Sequence, residues 1–84
     1  MVVYVDSLIH RRPGGRKRYC HMTADTLEEL HLFAEKIGRK RCWFERSRNG
    51  TPHYDLDEES RRIAVLNGAV EKKRLLHGID DINL

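Results

Sequence analysis

The chain is poor in the residues and runs that identify many protein classes at sight. It has two cysteines, two prolines and one tryptophan in 84 residues. No apolar stretch approaches the roughly 18 residues of a membrane span. Cys20 and Cys42 form no C-x-x-C pair, and no H-E-x-x-H metal helix is present. There is no internal repeat and no low-complexity segment. Met1 leads into Val2-Val3-Tyr4-Val5, too short for a signal core and without a cationic start. The expectation is a cytoplasmic protein with free thiols and no membrane attachment.

What is present is charge. Asp, Glu, Lys and Arg make up 35% of the chain, and the formal net charge is +3. The positive residues gather in two places. One is the stretch from His10 to Arg18, with Arg11, Arg12, Arg16 and Arg18 around Pro13-Gly14-Gly15. The other runs from Arg39 to Arg48 and includes Arg46 and Arg48 beside Trp43-Phe44. Such clustering suits an anion: a nucleotide, a nucleic acid or an acidic protein face.

The apolar pattern predicts one domain over residues 1–73. Val2-Val3-Tyr4-Val5 reads as a buried strand ending at Asp6, and Tyr19-Cys20-His21-Met22 as a second. Leu27, Leu30, Phe33, Ala34 and Ile37 carry the spacing of an amphipathic helix. Asp25 with Glu28, or Thr26 with Glu29, can cap its start, and Gly38 suits its end. Residues 41–45 read as a third strand, Asn49-Gly50 as a tight turn. Pro52-His53-Tyr54-Asp55 leads into a second helix capped by Asp55 or Asp57, with Ile63, Ala64 and Leu66 on its apolar face. Residues 69–72 read as a last strand. Residues 74–84 form a tail, either a short helix or a segment that binds a partner. The order β-β-α-β-α-β predicts a small two-layer α/β domain. Its sheet is expected to be mostly parallel, with three or four strands and two helices.

In a parallel sheet, ligands lie beyond the carboxyl ends of the strands. That rule collects Asp6, His21, Asp25, His53 and Asp55 at one edge as candidate catalytic residues. Carboxylates beside imidazoles can bind a divalent metal or transfer protons. Asp6, His21 and His53 are the candidate ligands, and Asp25 or Asp55 the candidate base. Arg11, Arg12, Arg16, Arg18, Arg46 and Arg48 are candidate anion contacts, with Trp43 and Tyr54 as candidate stacking surfaces. Each acid also has a plainer role, Asp25 and Asp55 as helix caps and Asp6 in the following turn.

Three stretches carry a resemblance: Val3-Tyr4-Val5-Asp6, His21-Met22-Thr23-Ala24-Asp25 continuing to His31, and Pro52-His53-Tyr54-Asp55-Leu56. Together they resemble a small phage and bacterial family, domain of unknown function 4031. The likeness runs to about Val70. It departs at Tyr19, where members carry Trp, at Glu45, where they carry Gln, and in the tail. The resemblance implies a phage or bacterial cytoplasmic setting and supplies no mechanism. Two functions follow from the residues. The first is a small anion- or nucleic-acid-binding protein using its basic face. The second is a metal-dependent phosphoesterase or nuclease with a His/Asp site at the carboxyl edge of the sheet.

Overall fold

A computed structural model describes residues 2–10 and 14–73. Within them the order is β1 (Val3–Val5), β2 (Ile9–His10), β3 (Arg18–Ala24), α1 (Leu27–Lys36), β4 (Phe44–Arg46), β5 (Pro52–Asp57), α2 (Glu58–Leu66) and β6 (Val70–Glu71). Arg11, Arg12 and the 74–84 tail lie outside the described residues.

Both helices start where a side chain can satisfy a free backbone N–H. Thr26 caps α1, its Oγ1 accepting the Glu29 N–H at 3.1 Å. Asp57 caps α2, its Oδ1 accepting the Ser60 N–H at 2.8 Å. Asp25 and Asp55 cap neither helix, so both carboxylates are left for other partners. Past α1 the chain reverses at Gly38, whose φ of +83° lies in the left-handed region that glycine adopts without steric cost.

The six strands form one sheet in the order β4-β5-β3-β1-β6, with β2 also paired to β3. Every pairing is antiparallel except β1 with β6. This overturns the mostly parallel sheet of three or four strands expected from the sequence. The reason lies in interleaving. The units β3-α1-β4 and β5-α2-β6 each return their second strand parallel to the first, but those partners are not neighbours. Strand β5 is inserted between β3 and β4, while β3 and β1 lie between β5 and β6. Four of the strands thus follow the split β-α-β order, with β1 added beside β3. Two local readings change as well. Residues Arg41–Trp43 form a turn of 3-10 helix, and Pro52–Asp57 is a strand, not a lead-in loop.

The period of two along each strand separates the faces. Val3, Val5, Cys20, Met22, Tyr54 and Leu56 turn toward the helices and join Leu30, Ala34 and Ala64 in one buried cluster. Burying side chains such as Leu30, Leu56 and Met22 contributes about 1.5–3 kcal/mol each. The residues between them, Tyr4, Tyr19, His21, Thr23, His53 and Asp55, fall on the face without helices. No described helix is long and apolar enough to cross a membrane.

Candidate functional site

Asp6 sits where the β1–β3 ladder stops. Its N–H donates to the His21 carbonyl at 3.2 Å. Its carboxylate then turns back onto the same residue. The His21 N–H donates to Oδ1 at 2.6 Å, and His21 Nδ1 donates to Oδ2 at 2.7 Å. An ionised carboxylate can only accept, so Nδ1 carries a proton and Nε2 is the nitrogen that faces away from Asp6. Arg61 of α2 reinforces the corner, with Nε donating to the Asp6 carbonyl at 2.8 Å and Nη2 to Glu71 at 2.9 Å. Asp6 is 4% exposed, so little water competes for these bonds.

His53 and Asp55 project from β5 on the same sheet face. His53 Nδ1 donates to the Thr51 carbonyl at 3.1 Å, which turns Nε2 toward Asp55. That nitrogen lies 3.5 Å from Asp55 Oδ1. The β4–β5 register sets Glu45 opposite His53. One ligand atom from each of Glu45, His53 and Asp55 falls within 4.8 Å of the others, a spacing that one metal ion can bridge. The β3–β5 register sets His21 opposite Asp55. The His21 and His53 rings meet edge to face with centroids 5.4 Å apart.

A cleft of about 350 Å³ adjoins this group, lined by Tyr19, Arg39, Cys42, Trp43, Glu45 and Asp55. Arg39 reaches across it, Nη2 donating to the Asp55 carbonyl at 3.1 Å and Nη1 to Ser60 Oγ at 3.4 Å. The guanidinium carbon lies 4.4 Å from the Trp43 ring centroid, and Lys40 Nζ lies 5.6 Å from it. Cys20 belongs to the core beneath the cluster. Burial, and then the Asp6 charge, push its thiol up to about 12, so it stays protonated and takes no part in chemistry at neutral pH.

Of the five residues expected at one edge, four converge and one does not. Asp6, His21, His53 and Asp55 meet in the middle of the helix-free face, because β1, β3 and β5 alternate in direction. This replaces the carboxyl edge of a parallel sheet. Asp25 lies four residues beyond His21, about 13 Å along the strand at the usual rise. There it accepts the Tyr4 hydroxyl at 2.9 Å. Asp6, His21 and His53, taken as one ligand set, fall into two groups: Asp6 is engaged with His21, while His53 converges with Asp55 and Glu45.

The basic residues are spread apart. Arg18 pairs with Glu58 at 2.8 Å. Arg46 donates to the Gly50 carbonyl at 3.1 Å. Arg16 and Arg48 are exposed. Tyr54 is 1% exposed and packs in the core against Phe44 and His31, so it offers no stacking surface. Trp43 is 42% exposed and lines the cleft. The sequence places Arg39 in the second basic region without a site role of its own, and gives Glu45 no site role. Asn49-Gly50 was the available signal for Glu45, since a hairpin folded there brings it opposite His53.

No curated protein and no solved structure matches the chain. The family model described as protein of unknown function DUF4031 matches residues 3–78, and the chain belongs to that family.

Proposed function

We propose that the helix-free face is a divalent-metal site for phosphoester hydrolysis. The observation that supports this reading is the convergence of Glu45, His53 and Asp55 ligand atoms within 4.8 Å. Two carboxylates and one imidazole suit Mn²⁺, Mg²⁺ or Zn²⁺. A metal held there would polarise a phosphoryl oxygen and lower the pKa of a bound water. His21, oriented through Nδ1 by Asp6, directs its basic nitrogen away from that carboxylate and serves as the proton acceptor. The setting that accompanies this reading is a phage or bacterial cytoplasm. The test is hydrolysis of aryl phosphomonoesters and phosphodiesters with each of the three metals. Turnover abolished by a chelator and by Asp55→Ala is expected. Absence of turnover with all three metals contradicts the reading.

One observation favours a second reading, anion or nucleic-acid binding without chemistry: Arg39 and Lys40 gather on the exposed Trp43 ring. In that case binding weakens steeply with salt and needs no metal. Affinity for single-stranded DNA or RNA that is insensitive to salt contradicts it.

A further inference from the structure

From the cleft beside the acidic cluster we infer a substrate class: the site takes a phosphate carried on a planar base, a nucleoside monophosphate or its equivalent at a nucleic-acid end. The inference rests on the metal-site reading above and specifies what that site accepts.

The cleft combines three kinds of wall. Glu45 and Asp55 supply the acidic side, where a bound metal would meet a phosphate. Arg39 supplies a cation whose guanidinium is already held by the Asp55 carbonyl and Ser60 Oγ. A fixed fork of this kind loses little freedom when it meets a phosphate. Its Nε is buried and has no hydrogen-bond partner among the described residues. Tyr19 and Trp43 supply aromatic surface.

A bare phosphoester would use the metal and the arginine alone. The Arg39 guanidinium already lies 4.4 Å from the Trp43 ring centroid, and the ring is still 42% exposed, which leaves flat aromatic surface on which a nucleobase can stack. The volume, about 350 Å³, falls within the range of small-ligand sites. An acidic peptide would meet Glu45 and Asp55 as like charges, whereas a metal-bridged phosphate would not. That chemistry favours the nucleotide.

Trp43 is the single tryptophan of the chain, so its emission reports the cleft directly. The full chain, saturated with Mg²⁺, is titrated with AMP, ribose 5-phosphate and adenosine. AMP is expected to change Trp43 emission saturably and to bind at least about tenfold more tightly than ribose 5-phosphate, the factor a stacked base supplies. Adenosine binds more weakly than AMP. By calorimetry, Trp43→Leu removes the preference for AMP and keeps ribose 5-phosphate affinity. Arg39→Lys weakens both phosphates together and leaves the metal titration unchanged. Equal affinity for AMP and ribose 5-phosphate overturns the inference, as does unchanged Trp43 emission with AMP. If His53-dependent metal binding persists in those cases, the hydrolase reading survives and only the base specificity fails. If that metal binding is absent, both fall.

Discussion

Asp6 holds His21 by two atoms, accepting its backbone N–H on one carboxylate oxygen and its ring N–H on the other. The backbone bond completes a ladder that β1 leaves unfinished, and the ring bond sets which nitrogen faces outward. One side chain therefore supports the fold and orients a residue of the candidate site. Asp6→Ala leaves a part-buried N–H without its partner and is expected to cost about 1–3 kcal/mol. Asp6→Asn keeps an acceptor for the backbone N–H and costs less, but it no longer offers a second carboxylate oxygen to the ring. Urea midpoints of the two variants check the order. Equal loss in both means that the backbone bond contributes nothing beyond the ring bond and the charge.

A second prediction concerns the start of α2. The Ser60 N–H, and then the Ser60 hydroxyl, hold the Asp57 carboxyl below its ordinary value. A carboxyl whose pKa is lowered by folding stabilises the protein above its unfolded pKa. That contribution is lost as pH falls through the folded value. Asp57→Ala is expected to cost about 1 kcal/mol at neutral pH. The gap between wild type and variant closes as pH drops below the ordinary carboxyl value of 3.8. Stability curves at several pH values decide this, and a gap that stays constant into acid contradicts the cap.

His31 gives the opposite face of the sheet its own pH dependence. Burial, and then the Arg41 charge, lower its pKa below 6.5. Its ring lies 2.7 Å from the Tyr54 hydroxyl and edge-on to Phe44. The unfolded chain then takes up this proton before the folded one does. Stability due to His31 is complete above pH 6.5 and declines as pH falls through the lower folded value. His31→Asn is expected to lose less stability than wild type on acidification from neutral to about pH 5. Parallel losses in the two proteins remove His31 as the cause.

The two thiols differ in kind. Cys20 is buried with its pKa raised to about 12, and Cys42 is exposed at the cleft. A thiol reagent is expected to label Cys42 alone in the folded protein and both thiols in denaturant. Labelling of Cys20 under native conditions would show that the core beneath Asp6 opens.

Local chemistry made much of this legible from the sequence. The Leu27–Ile37 spacing, the Thr26–Glu29 cap and the Gly38 reversal all act within a few residues, and each appears as expected. Strand direction did not, because it depends on β5 inserting between β3 and β4, a choice made by contacts distant in sequence. The same insertion explains the site. Pro52-His53-Tyr54-Asp55-Leu56-Asp57 alternates polar and apolar as a strand should. As a lead-in to the helix it leaves Tyr54 free to serve as a stacking surface and sets no partner for His53. With β5 in place, Tyr54 turns into the core and Glu45 comes opposite His53. Asp6, His21, His53 and Asp55 come together as expected, but not at the carboxyl edge of a parallel sheet. Three strands of alternating direction bring them together, where a shared carboxyl edge was expected.

The most direct measurement is calorimetric titration of the pure, chelator-treated protein with Mn²⁺, Mg²⁺ and Zn²⁺, alongside His53→Ala and Asp55→Asn. One ion per chain is expected for at least one metal, with affinity reduced about 10-fold or more in each variant, since a lost ligand costs at least what a lost second-layer partner does. No heat of binding with any of the three metals, or binding that both variants retain unchanged, would contradict it.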